Sequence, residues 1–140
     1  MALVLGAVVG VEREYRGHAA GLRTMAMVST GSCLFTLLGA ALFSTGTDPT
    51  RIAAQVVTGI GFLGAGTILR GVSGVRGLTT AATIWVVAAI GMAAGFGTYV
   101  LAVGTAAIVL AALITMRVLR RRFLPRLIPA DEEDEHPSAP

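Results

Sequence analysis

Lysine is absent from this chain, cysteine and tryptophan occur once each, and charged residues of either sign make up only 14% of its 140 residues. Soluble domains carry about a quarter charged residues, and a domain of this size needs a polar surface, so a water-soluble globule is all but excluded. Cys33 has no second cysteine to pair with and lies inside an apolar run, so it says nothing of redox compartment. The missing lysine, beside abundant alanine, glycine and arginine, points to a GC-rich genome and bears on codons, not mechanism. It does leave all 11 cationic residues as arginine. Five of the eight acids are packed into Asp131–Glu135, so the rest of the chain sets 11 arginines against Glu12, Glu14 and Asp48 and carries +8, although the formal net charge is only +3. This basicity does not point to nucleic acid, because the arginines punctuate apolar runs instead of forming one polar face.

What is present is apolar: 54% hydrophobic residues and a mean hydropathy of +0.77. A helix needs roughly 20 residues to cross about 30 Å of hydrocarbon. With charged residues as fences, four stretches reach or approach that length, at about 24–45, 50–69, 78–95 and 97–116. A fifth, Ala2–Val11 ahead of Glu12, is half as long, so either the N-terminus is incomplete or this first helix is a stub. A secretory signal peptide fits poorly, since no positive segment precedes the run and no small-residue cleavage site follows it directly. Cytoplasmic loops collect arginine. Arg13, Arg16, Arg23, Arg70, Arg76, Arg117, Arg120, Arg121, Arg122 and Arg126 fall on one side, and only Arg51 on the other. The expectation is an all-α polytopic transmembrane bundle of about five helices, N-terminus out and C-terminus cytoplasmic. Residues 1–123 would form the membrane domain and 124–140 a disordered acidic cytoplasmic tail. Asp48 is expected to cap the third helix with Pro49 at its first position, and Thr24 and Thr79-Thr80 to occupy similar starting positions for the second and fourth.

Between lipid-embedded helices, small residues permit the close backbone approach that supplies much of the contact energy. Gly6-Gly10 and Gly91-Gly95 have the spacing that places each pair on one helix face. The 50–69 span is richer still, with Gly59, Gly61, Gly64 and Gly66 in eight residues. Gln55, Gly59 and Gly66 share one face and Ala54, Gly61 and Ala65 nearly the opposite one, so this helix is expected to be central and packed on two sides. The same stretch matches GxGxxG, but it lacks the strand, the βαβ context and the later acid of a dinucleotide site. Intramembrane serines and threonines can bond back to their own helix. Gln55 needs a partner across an interface, as interhelical glue or as a functional group. Trp85 lies too deep in its span to anchor at the interface, and packing against small residues is its simplest role.

Chemistry is sparse. Continued helix would place Glu12 and Arg16 four residues apart, a self-paired interface. The alternative is that Glu12 or Glu14 pairs with Arg23, Arg70 or Arg76, tying the cytoplasmic ends of four helices together. Glu12, Glu14 and Asp48 are weak candidates for a divalent ion, because magnesium wants octahedral oxygen ligands and the supply is thin. No acid lies mid-membrane, where cation transporters place one. His18 has no second histidine nearby, and no serine or cysteine has a plausible base, so no catalytic residue and no enzyme activity are expected. The 117–126 arginines read as a flank bound to anionic lipid.

Together, Glu12-Arg13-Glu14, Ala20-Gly21-Leu22-Arg23-Thr24, Arg51-Ile52-Ala53-Ala54-Gln55-Val56-Val57, Gly59-Ile60-Gly61-Phe62-Leu63-Gly64-Ala65-Gly66, Val75-Arg76-Gly77-Leu78-Thr79-Thr80-Ala81-Ala82 and Trp85 closely resemble the membrane domain of the MgtC/SapB family of bacterial proteins. The resemblance covers roughly residues 3–117. It implies an inner-membrane protein of about five helices, linked to magnesium transport in name and to growth under magnesium limitation in some members. It also implies a role in modulating another membrane protein or complex, with magnesium transport or a transport-associated role as the alternative. The expected partners are the lipid bilayer and another membrane protein or a second copy, with no cofactor required and Mg²⁺ open. The interaction candidates are Glu12, Arg13, Glu14, Arg23, Arg51, Gln55, Arg70, Arg76, Thr79, Thr80 and Trp85. The chain departs from the family in its short first helix and in lacking the soluble domain many members append.

Overall fold

The computed structural model describes residues 1–42, 48, 50–71 and 74–123. Their elements are α1 (Ala2–Tyr15), α2 (Leu22–Leu42), α3 (Thr50–Gly66), β1 (Leu69–Gly71), β2 (Gly74–Arg76), α4 (Leu78–Gly95) and α5 (Tyr99–Phe123). Pro49, residues 43–45 of the expected second span and the acidic tail lie outside the described residues. The chain is an all-α helical bundle. Three of its helices, α2, α4 and α5, are long and apolar enough to cross a membrane. At 1.5 Å per residue, α1 and α3 reach about 21 Å and about 26 Å.

Helix ends follow local chemistry, but not always the residues anticipated. At the end of α1 the Gly17 and His18 amides donate to the carbonyls of Glu14 and Arg13, 3.0 and 3.1 Å, with Gly17 at φ 71° in the left-handed region that closes helices. α2 begins at Leu22, two residues before Thr24, because Glu14 of α1 reaches over and caps it. α4 begins after Gly77, which has no side chain to cap with, and Thr80 is turned to another task. Asp48 caps α3: its Oδ1 accepts the Thr50 amide at 2.9 Å and the Thr50 hydroxyl at 2.7 Å.

The 50–69 span stops at Gly66 instead of continuing, because the chain turns into an antiparallel hairpin with Leu69 opposite Arg76, Arg70 opposite Val75 and Gly71 opposite Gly74. The base of the hairpin is pinned at Gly77. Its φ of 85° and its close approach to the Thr67 carbonyl leave no room for a Cβ.

Met1–Leu110 form one compact unit. Within it α2 is the central helix, with α1 against it and α4 against both. The contact between α1 and α2 runs through glycine. A Cβ on Gly6 would sit 2.6 Å from the Met25 carbonyl, and one on Gly10 would sit 2.6 Å from the Leu22 Cα. Further along the same face of α2, Gly91 lies against the Ser29 carbonyl and Gly95 against the Cys33 carbonyl and Thr36. Ser29, fully buried, also donates to the Ala2 carbonyl at 2.9 Å. Ala102 and Ala106 of α5 close a small apolar cluster with Ala2, Ile90 and Ala94.

The expectation that the glycine-rich helix is central is overturned. α3 packs on α4, and less extensively on α2, through one side only. Gly64 meets Ala81 at ordinary van der Waals distance, while Cβ atoms on Gly59, Gly61 or Gly66 would meet nothing within 4 Å. A high glycine count makes close approach possible but does not supply a neighbour, and those faces are open. α4 is half buried along its span and α5 only 11% buried, although α5 is the more apolar of the two. An uncovered apolar helix is a membrane signature. The second unit, Ala111 onward, comprises the remainder of α5 to Phe123, with the described side chains exposed or half-exposed.

Candidate functional site

Arg13, Glu14, His18 and Thr80 come together where α1 ends and α2 and α4 begin. Arg13 is the key group. It is 1% exposed, its guanidinium donates to Thr80 Oγ1 at 2.8 Å across 67 residues of sequence, and its Nε has no hydrogen-bond partner among the described residues. Helix geometry explains why Arg13 faces inward while its neighbours do not. Gly6, Val9, Gly10 and Arg13 fall three and four residues apart and form the buried stripe of α1. Glu12 and Glu14 lie on its flanks.

Glu14 Oε2 accepts the Leu22 amide at 2.7 Å, and Gly21 is so close that a Cβ there would lie 2.6 Å from the same oxygen. One carboxylate therefore satisfies an orphan amide of α2 and places its negative charge at the positive end of that helix. Glu12 Oε1 pairs with Arg16 Nε at 2.7 Å in the i, i+4 order, the Glu12 side chain being 10% exposed. His18 Nδ1 donates to the Arg13 carbonyl at 3.3 Å, which holds the turn over the end of α1. Burial, followed by the nearby Arg13 charge, keeps the His18 pKa below its usual 6.5.

Glu14 is thus tied to a backbone amide, not to an arginine of another loop, and the α1–α4 tie is made by Arg13 with a hydroxyl. The self-paired Glu12–Arg16 geometry occurs beside these ties. Arg23 is exposed at the start of α2, and Arg70 and Arg76 stand on the hairpin. Thr79 is exposed and accepts, through its carbonyl, the Thr83 hydroxyl. Arg51 is exposed in the first turn of α3. Trp85 is 52% exposed on α4, so small-residue packing covers less than half of it. Gln55 makes no hydrogen bond among the described residues. It lines an apolar groove of about 500 Å³ between α2 and α3, with Gly31, Phe35, Ile52, Gly59 and Leu63 among its neighbours. Sequence reasoning did not single out Ser29 as the bridge between α1 and α2. Its signal was a small hydroxyl four residues after Met25, on the face where glycines of two helices converge.

The weighed metal ligands are dispersed. Glu12 pairs with Arg16, Glu14 caps α2 and Asp48 caps α3. Among the described residues no three His, Cys, Asp or Glu side chains come together to hold a metal. The Thr50 bonds lower the Asp48 pKa, which keeps that cap ionised.

A family model described as the MgtC family matches residues 1–122. Protein MgtC of Salmonella typhimurium is 44% identical over 135 residues, covering 96% of this chain and 58% of the relative. The putative magnesium transporter YhiD of Escherichia coli K12 is 44% identical over 134 residues, covering 87% and 62%. Protein MgtC of Brucella abortus is 49% identical over 96 residues, covering 69% and 40%. The chain therefore spans less than two thirds of the length of these curated relatives. No solved structure matches it. With nearly its whole described length matched, the chain is a membrane protein that belongs to the MgtC family.

Proposed function

We propose that this chain is a non-enzymatic protein of the bacterial inner membrane that modulates another membrane protein complex in connection with magnesium homeostasis or limitation. The observation that carries this reading is how its polar groups are employed. The buried polar side chains among the described residues are five hydroxyls and one guanidinium, and Glu12, Glu14 and Asp48 are committed to an arginine and two helix N-termini. Arg13, Glu14, Ser29 and Thr80 tie helices to one another, while Glu12, Thr36, Asp48 and Thr83 bond within their own helix or its end. A divalent cation needs a ring of oxygen ligands, and the Arg13 charge at the α1–α4 seam opposes its passage there. The magnesium connection is supported by the name of the E. coli relative. The arginine distribution supports five crossings with a cytoplasmic C-terminus, α1 and α3 crossing as the shorter helices. The open faces of α3 and α5 are surfaces on which another membrane protein or a second copy can pack.

That relative's printed name favours a second reading, magnesium transport, with Glu12, Glu14, Asp48 and Gln55 as path residues. Purified protein in liposomes loaded with a Mg²⁺-sensitive dye separates the two. Absence of flux with and without a membrane potential supports the modulator, and flux above protein-free vesicles overturns it. Reporter fusions after Thr47 and Gly97 should be active outside, and those after Arg76 and Arg122 inside. The opposite pattern would overturn the orientation.

A further inference from the structure

The hairpin between α3 and α4 is unexplained by the modulator reading and independent of it, resting only on α3 and α4 being embedded in a membrane. Cross-strand partners in an antiparallel pair share a face. The register places Leu69 with Arg76 on one face and Arg70 with Val75 on the other. Each face of the ribbon therefore carries one aliphatic side chain and one arginine, and all six strand residues are exposed, Leu69 at 67% and Val75 at 48%. A ribbon bound for water would expose two polar faces, and one bound for the protein core would bury an apolar face. This one does neither. The Thr67–Gly77 contact fixes its base where α3 ends and α4 begins, so with those helices embedded its three residue pairs, about 10 Å long, stay within reach of the boundary between hydrocarbon and headgroups. That boundary accommodates aliphatic stems and guanidinium heads together.

We propose that the hairpin is an interfacial anchor for anionic phospholipid. With the ribbon on edge at that boundary, the aliphatic side chain of each face, Leu69 on one and Val75 on the other, leans into the acyl region and Arg70 takes the headgroup phosphate, with Arg76 adding positive charge at the ribbon base. Charge complementarity selects this occupant, since the ribbon itself carries two arginines and no acid, and the sequence holds no acid between Arg51 and Asp131.

The test uses the full chain in nanodiscs with Cys33→Ser and a fluorophore on Gly71→Cys, a position where a side chain meets nothing within 4 Å. Brominated phosphatidylglycerol and brominated phosphatidylcholine are compared as quenchers. Preference for the anionic lipid is expected, falling about fivefold in Arg70→Gln and largely retained in Arg70→Lys. Leu69→Ser should weaken quenching by both lipids. Equal quenching by both lipids in the parent, or an Arg70→Gln variant indistinguishable from it, overturns the proposal. So does equal shielding from aqueous iodide in neutral and anionic discs, which would assign the ribbon to a protein segment such as the Asp131–Glu135 run. A second label on Val100→Cys, at a position 90% exposed on α5, reports embedding itself. If acyl-chain bromine fails to quench it, the membrane placement fails and the hairpin proposal with it; if it quenches Val100 but not Gly71, the hairpin proposal alone fails.

Discussion

Replacing Gly6 by alanine should destabilise the bundle, whereas the same change at Gly59 should not. The added Cβ at position 6 would lie 2.6 Å from the Met25 carbonyl oxygen and 2.7 Å from the Ser29 Cβ, against 3.4 Å or more for an ordinary contact. The first neighbour is backbone and the second is the root of a fully buried side chain, so neither can rotate away. α1 and α2 must separate by about 0.8 Å, and a gap of 0.5–1 Å forfeits roughly a quarter to a half of the dispersion energy of each contact along the seam. The same separation stretches the 2.9 Å bond from Ser29 to the Ala2 carbonyl, an intramembrane bond of about 0.6 kcal/mol. Together these place the cost at about 1–3 kcal/mol, the usual range for overpacking. At Gly59 nothing lies within 4 Å, so alanine brings up to about 1 kcal/mol of helix propensity and no clash. The assay is reversible unfolding in mixed micelles with increasing SDS, followed by Trp85 emission. A Gly59→Ala cost equal to that of Gly6→Ala would refute the reasoning, because it would mean that α3 is covered on the face found open.

Thr80→Val should cost about 1–3 kcal/mol in the same assay, since it leaves a buried guanidinium donor unmatched. A double-mutant cycle with Arg13→Met should show coupling between the two positions. Glu14→Ala should lose about 1 kcal/mol and speed hydrogen exchange at the Leu22 amide, while Glu14→Gln, which keeps an acceptor oxygen, should lose less. The folded His18 pKa is depressed, so protons bind the unfolded chain more readily. Stability should hold above pH 6.5 and fall as pH drops below it, and His18→Gln should flatten that slope.

Much of this arrangement can be read from residues alone. Arginine fences locate α4 to the residue, because Arg76-Gly77 precedes it and the Gly95–Gly97 break follows. The spacing of Gly6-Gly10 and Gly91-Gly95 suits two seams that the structure places in succession along one face of α2, meeting at Ser29. Other features are invisible to periodicity. Glycines in α3 show which faces a neighbour could approach, not which face has one. The six-residue ladder of the hairpin is too short to show a pattern of alternation. The Glu14 cap of α2 crosses a turn of eight residues, so a search for Ser, Thr, Asp or Asn directly before the helix finds only Thr24, inside it. Arg13 and Thr80 both carry recognisable local roles, snorkelling and capping, and only their 67-residue meeting in three dimensions changes both.

That separation has a consequence in time. At synthesis rates of 5–20 residues per second, Thr80 leaves the ribosome roughly 3–13 s after Arg13. The alanines of α5 that close over Ala2 are later still. Through that interval the guanidinium destined for burial has no hydroxyl to receive it and must stay at the aqueous boundary. The seam between α1 and α2 can therefore close well before the one between α1 and α4, which must wait until Thr80 has been made.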